Sequence, residues 1–291
     1  MNYGLALSGG GARGAVHVGV LKALVEAGLS PSYVSGTSAG AIVGTLYAVG
    51  YTPCEIEKLF LYHGKDIIDY NYGDFARYLL GKLCCKKVVV DGLIRGERIG
   101  RIMDVYCRKK GVCFMRDVKI PLAVTAVDIN TANLVMFVSR IPCPAKKSRK
   151  VIYLDDVEVS QAVRASTAVP VVFKPEMVNK MRLVDGGLRD NVPAKILREM
   201  GARRVLAVNL GYAGQLKKDV DNIFEIAFQS IDVMSYQISE KSAAWADYVL
   251  LPKVYDVGLL DVDKIPGSIR RGYEACRAEL PEIKKTLGFP E

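Results

Sequence analysis

Histidine is scarce in this chain: there are two in 291 residues, His17 and His63. Histidine is the usual proton acceptor for a serine nucleophile and a common metal ligand. The two present are isolated and lack H-E-x-x-H or similar spacing, so no metal and no organic cofactor is expected. Cysteine occurs seven times, an odd number, and never as C-x-x-C. Cys84 and Cys85 are adjacent and cannot readily bridge each other. That usage fits a reduced, intracellular protein with cysteine as small apolar filler. No uninterrupted apolar run reaches the ~20 residues of a membrane span. The start, Met1-Asn2-Tyr3-Gly4-Leu5, lacks the charged and apolar regions of a secretory signal. The expectation is a cytoplasmic protein with room for peripheral contact with a membrane. Linkers rich in Pro, Ser or Gly are missing, as are internal repeats. One domain over residues 1–291, with a helical cap inserted at about 53–116, is the economical reading.

Half of the residues are hydrophobic, enough for a sizeable core, and the net charge is +9. The excess charge is concentrated. Between Lys82 and Arg116 stand ten basic residues and three acidic ones. Arg95, Arg98 and Arg101 lie at its centre. Such a cluster favours anionic partners: lipid headgroups, phosphorylated substrates or nucleic acid. Its bland counterpart is a solvated helix face. The spacing predicts a basic helix over 96–110, with Ile99, Ile102, Met103 and Tyr106 on its apolar side.

The chain begins with a short apolar strand, Tyr3 to Leu7. A glycine loop follows, Ser8-Gly9-Gly10-Gly11-Ala12-Arg13-Gly14, and then a helix over 15–27. Gly9, Gly11 and Gly14 spell G-x-G-x-x-G, the dinucleotide fingerprint. That reading also needs an acidic residue at the end of the second strand to hold the ribose. The second strand ends in Val34-Ser35-Gly36, so the nucleotide reading falls to a minor alternative. A loop of bare N–H groups serves equally well to hold an oxyanion.

Gly36-Thr37-Ser38-Ala39-Gly40 is a G-x-S-x-G pentapeptide between a strand end and a small, apolar helix. In that context it reads as a nucleophile elbow, with the Ser38 hydroxyl pushed out at a helix N-terminus. If the first two strands are neighbours, the glycine loop and Ser38 open on one edge of a parallel sheet. A serine hydroxyl needs a base. Neither His17, in the first helix, nor His63, after an apolar helical stretch, follows a late strand, so both are read as structural. A carboxylate must then take the proton. Asp185 ends the strand Met181-Arg182-Leu183-Val184-Asp185 and is followed by Gly186-Gly187, which permits close backbone approach. Asp155, Asp156 and Asp190 lack that context.

Further along, 120–129 and 134–139 read as a hairpin, and 155–165 contains a helix whose start is offered a cap by Ser160. Residues 192–200, 223–246 and 268–280 read as helices, and 204–209 and 248–251 as strands. The alternation predicts a three-layer α/β/α fold with a largely parallel central sheet.

Three motifs in order, Gly9 to Gly14, Gly36 to Gly40 and Asp185-Gly186-Gly187, resemble the signature of the patatin-like phospholipases. The segments 162–170 and Asp190-Asn191-Val192-Pro193 resemble the family's flanks to its aspartate. The resemblance spans residues 3–212. It implies a lipid acyl hydrolase, of phospholipase A or esterase type, with a Ser38–Asp185 dyad. The oxyanion and substrate would meet Gly9, Gly10, Gly11, Ala12, Arg13, Gly14 and Ala39. Gly36, Gly40, Gly186 and Gly187 would serve the backbone. Arg13 would brace the loop or meet an anionic headgroup. The implied partners are a phospholipid or other fatty-acyl ester and an anionic membrane surface, not nucleic acid. An acyltransferase using the same acyl-enzyme, or a non-catalytic module binding anionic partners, are the alternatives.

Overall fold

A computed structural model describes residues 2–65, 92–142, 150–211 and 223–290. Its centre is a mixed, mostly parallel sheet of nine strands flanked by helices on both faces. The strands are β1 (Tyr3–Leu7), β2 (Tyr33–Gly36), β3 (Leu122–Asp128), β4 (Leu134–Val138), β5 (Val151–Leu154), β6 (Glu176–Val178), β7 (Met181–Asp185), β8 (Arg204–Val208) and β9 (Tyr248–Leu250). The main order is β5-β4-β3-β2-β1-β8-β9. Pairs β1/β2, β1/β8, β2/β3, β4/β5 and β8/β9 are parallel. The hairpin β3/β4 and the pairs β3/β7 and β6/β7 are antiparallel.

The strands alternate, as two-sided burial requires. Leu5, Leu7, Val124, Leu206 and Val208 face the larger core cluster. It is shared with α1 (Val16–Glu26), α2 (Ala39–Ala48), α3 (Pro53–His63), α4 (Glu97–Lys109), α5 (Val159–Ser166) and α8 (Ile265–Leu287). Ala6, Val205 and Ala207 face the other way, toward α6 (Ala194–Glu199) and α7 (Ile223–Ala243). β1 and β2 are full-length neighbours, with Leu7 opposite Gly36. The turns that follow them therefore open side by side.

One edge of β3 is divided between two strands. Its first half, Leu122 to Val124, pairs with β2, and Val124 faces Gly36. Its second half, Ala126 to Asp128, pairs with β7 running the other way, and Ala126 faces Asp185. The C-terminal ends of β2 and β7 thus meet head to head, separated along β3 by Thr125.

The expected helices and strands are present, with differences at particular points. The start of α5 is Glu158, without a side-chain cap; Ser160 instead sits inside the helix, its Oγ 3.5 Å from Glu158 Oε2. α8 starts at Ile265 and runs to Leu287 through Pro281, longer than expected. β5 and β6 are short strands that the sequence reading omitted; β6 is a three-residue partner of β7. Of the expected cap, 66–91 lies outside the described residues. Its two ends form α3, which packs on α1 and α2, and α4, which packs on α5 and α2. Lys82, Lys86 and Lys87 also lie outside the described residues. Of the rest of the basic cluster, Arg108 pairs with Asp104 and Glu158, Lys110 with Glu55, and Arg116 with Asp156. Part of that charge is therefore neutralised internally.

The tightest helix crossing is α1 over α8. A Cβ on Gly19 would stand 1.9 Å from the Ile269 carbonyl oxygen, and one on Gly272 2.1 Å from that of Val16. Gly19→Ala should therefore lower stability by about 3 kcal/mol, the upper end of the usual range for overpacking. Urea denaturation checks this; an unchanged midpoint would mean the crossing is looser than described.

Candidate active site

Ser38 ends the turn after β2 at φ 54° and ψ −120°, a conformation a residue with a side chain rarely adopts. Such a residue costs on the order of 1–3 kcal/mol and persists only where its surroundings enforce it. The enforcement is visible. A Cβ on Gly36 would stand 2.4 Å from the Gly40 backbone, and one on Gly40 2.3 Å from the Leu7 carbonyl oxygen. Thr37 N–H donates to Leu7 O at 3.1 Å, and Ser38 N–H donates to Ser166 Oγ at 2.9 Å. The Thr37 hydroxyl donates to the Asp190 carbonyl and shares a 2.7 Å bond with Thr125 Oγ1. Thr125 is the residue of β3 left between β2 and β7.

Asp185 closes β7 and is 6 % exposed. Its Oδ1 accepts Gly187 N–H at 2.8 Å, while Oδ2 is buried without a hydrogen-bond partner among the described residues. Burial raises its pKa to about 6, partly offset by the Gly187 amide and by the neighbouring Ser38 hydroxyl. Gly186 passes so close to Thr125 that a Cβ would stand 2.0 Å from its Oγ1.

Ser38 and Asp185 line one cavity of about 620 Å³ together with Gly9, Gly10, Gly11, Arg13 and Gly187. Asp155, Asp156 and Asp190 do not line it. Ala12 and Ala39 border a second, apolar cavity that also reaches Ser38. Gly14 packs against Ala39; a Cβ there would stand 2.2 Å from the alanine's own.

The loop's N–H groups are not equivalent. Gly9 N–H donates to Asn191, through Oδ1 at 3.1 Å and the main-chain oxygen at 3.3 Å. Ala12 N–H donates to the Leu259 carbonyl at 2.8 Å. Among the described residues, Gly10 and Gly11 N–H have no partner. Arg13 donates from Nε to the Gly10 carbonyl and lies 3.7 Å from Asp232, so it braces the loop against α7. His17 is fully buried, 2.8 Å from the Ser8 carbonyl through Nε2, and burial lowers its pKa to about 4. It is a neutral donor that fixes the start of the loop. His63 is bonded to the Tyr106 hydroxyl at 3.0 Å, away from this cavity.

The sequence reading singled out the segments holding Ser166 and Asn191 without giving either a role at the site, and missed the α7 residues Asp232, Ser235 and Ser239. Asn191 carried a signal, since it follows the aspartate motif closely. α7 carried none, because nothing local distinguishes the face that covers the cavity.

The patatin-like phospholipase family matches residues 5–198. This chain belongs to that family. YqhO of Bacillus subtilis is 29% identical over 75% of this chain and 75% of its own length. An NTE family protein of Mycobacterium tuberculosis is 30% identical over 71% of this chain but 48% of its own length, so the chain spans about half of that relative. Among solved structures, VipD from Legionella pneumophila superposes with a TM-score of 0.59 at 17% identity, covering 97% of this chain and 67% of VipD, which is a likeness of fold. Family membership supports hydrolase chemistry on lipid substrates in general terms. No helix among the described residues is long and apolar enough to cross a membrane.

The raised pKa of Asp185 has a consequence for stability. In the unfolded chain its carboxyl ionises near the ordinary aspartate value of 3.8, but in the fold at about 6. The folded state thus binds the extra proton between those values, and ionisation costs stability as pH rises through them, by about 3 kcal/mol in full. Asp185→Asn should match wild type near pH 4 and be the more stable protein at pH 8. Parallel urea midpoints across that range would remove the buried-charge account.

Proposed function

We propose that this protein is a serine acyl hydrolase of lipid carboxylic esters, of phospholipase A or esterase type, working through Ser38 and Asp185. The carrying observation is that a serine on a strained elbow and a buried carboxyl with a free oxygen border one cavity. In this reading Ser38 Oγ attacks the ester carbonyl carbon and its proton passes to Asp185. Gly10 and Gly11 N–H hold the oxyanion of the tetrahedral intermediate, and each such donor typically contributes about 3 kcal/mol to the barrier difference. The intermediate collapses as the carbon–oxygen bond breaks and Asp185 returns the proton to the leaving alcohol. Water, deprotonated by the same carboxylate, then attacks the acyl-enzyme; the bond to Ser38 Oγ breaks as Asp185 returns the proton to that oxygen, and the fatty acid leaves.

The pKa of Asp185 suits that work. A base poised near neutrality accepts a proton and gives it back. Neither histidine enters: His17 is occupied by Ser8, and His63 lies outside the cavity. An anionic membrane surface as peripheral partner is supported by the net charge of +9 and by the basic face of α4, on which Arg101 is exposed.

A fluorophosphonate probe should label wild type and not Ser38→Ala, and p-nitrophenyl esters should be turned over by the former alone. Equal labelling of both proteins would remove Ser38 from the mechanism. An alcohol acceptor that diverts the product would identify transfer in place of hydrolysis.

The pH profile tests the base. kcat/KM should rise with pH through an apparent pKa of about 6, as Asp185 loses its proton. Asp185→Asn should lose at least about a thousandfold in kcat while remaining folded. A profile flat between pH 5 and pH 8 would exclude Asp185 as the titrating base.

A further inference from the structure

Ser38 stands at the border of two cavities that differ in polarity. The first, described above, is the more polar of the two: Arg13, Asn191, Asp232, Ser235 and Ser239 line it beside apolar side chains such as Leu210. The second, of about 650 Å³, is walled by side chains such as Ile42, Phe60, Ile99, Val169, Phe173 and Leu260. A third, of about 440 Å³, lies beyond it between α2, α3 and α4 and is lined by Leu46, Leu59, Ile102 and Met103 among others. Ile42, Phe60 and Ile99 line both apolar cavities, so the two lie side by side with these three side chains as their common wall.

We infer that these two apolar cavities form one binding site for the fatty-acyl chain, and that Ile42, Phe60 and Ile99 set how long a chain it accepts. The inference rests on the acyl-hydrolase reading and deepens it by orienting the substrate. The alcohol portion of the ester lies in the polar cavity and the acyl chain runs past Ile42 toward α4. Two independent features agree with this direction. Asp185, which must protonate the leaving alcohol, lines the polar cavity and not the apolar ones. Ser38, which must reach the carbonyl carbon between the two portions, lines both the polar cavity and the nearer apolar one. An apolar hollow open to solvent leaves its lining against water until an apolar group covers it, which favours an apolar occupant. A methylene chain has the right chemistry, and each methylene buried strengthens binding about fourfold.

Ile42 is one turn along α2 from Ser38, in the wall between the two cavities, whereas Ile102 lines the far one alone. Two blocking variants therefore predict an ordered result. With p-nitrophenyl esters from butyrate to palmitate, Ile42→Trp should cut the ratio of long-chain to short-chain kcat/KM by at least about tenfold, with the break at a short chain. Ile102→Trp should move the break to a longer chain. In parallel, cis-parinaric acid fluorescence should show binding to wild type, weakened by at least about tenfold in Ile42→Trp. If esters are cleaved and both variants keep the wild-type chain-length profile, the acyl assignment is overturned while the hydrolase reading stands. If no ester is cleaved, the hydrolase reading fails, and the parinaric acid titration alone decides the cavity. Equal binding by wild type and Ile42→Trp, or none by wild type, overturns it. Circular dichroism of each variant separates a blocked cavity from a lost fold.

Discussion

The divided edge of β3 is the constraint on which the rest depends. A strand edge offers one row of hydrogen-bonding groups, and here β2 takes the first half and β7, running the opposite way, takes the second. Two strand ends are thereby brought together, one carrying Ser38 and the other Asp185, although 147 residues separate them along the chain. Nothing in either motif requires the meeting. It follows from register: Gly36 beside Val124 and Asp185 beside Ala126 leave a gap of one residue, Thr125. The side chain of Thr125 is held by Thr37 from the elbow side, and Gly186 passes against it from the other. A one-residue slip of either strand would turn its side chains to the opposite face and separate the pair.

That arrangement sets stability against chemistry. The elbow holds a non-glycine residue at φ 54°, and the carboxyl beside it is buried with one oxygen unsatisfied. Each feature costs free energy. Both are tolerated because the surrounding core is continuous, from β1 through α1 and α8 to α2. Burial that makes Asp185 expensive to ionise also brings its pKa toward neutrality, where a carboxyl can serve as base and then as acid. Burial raises the pKa of the Asp190 carboxyl to about 6 as well, but Asp190 does not line the cavity, and both histidines are bonded elsewhere.

Much of this site was legible in the sequence, because each part announces itself locally. G-x-S-x-G between a strand and a small-residue helix, a triple glycine after a strand, and Asp-Gly-Gly at a strand end each state a backbone requirement within a few residues. The expected order of strands and helices was legible for the same reason, as in the hairpin β3/β4 and the buried β8. Partners fixed by long-range packing were not. Ser166 reaches Ser38 N–H from α5, and His17 reaches the Ser8 carbonyl from inside α1. Ser160 looked like a helix cap because its residue type suits one, but the bridge of Phe114 to Glu158 sets where that helix begins. β5 and β6 are too short for a periodic pattern to emerge, and pairing with β4 and β7 creates them.

The glycine loop shows how distant elements finish what a motif begins. Read alone, Gly9 to Gly14 offers a row of equivalent amides. In the fold, Asn191 takes Gly9 N–H and the Leu259 carbonyl takes Ala12 N–H, while the two between them have no partner among the described residues. A donor already paired can be recruited by a substrate only at the cost of a bond worth about 1 kcal/mol net, whereas an unpaired one meets an oxyanion without reorganisation. Leu259 lies beyond residue 198, where the family match ends, and so does Asp232, which holds Arg13. Asn191 is in turn tied through its Nδ2 to Ser239 on α7. The segment beyond the family match thus joins Asn191 in setting which amides of the glycine loop are paired within the fold.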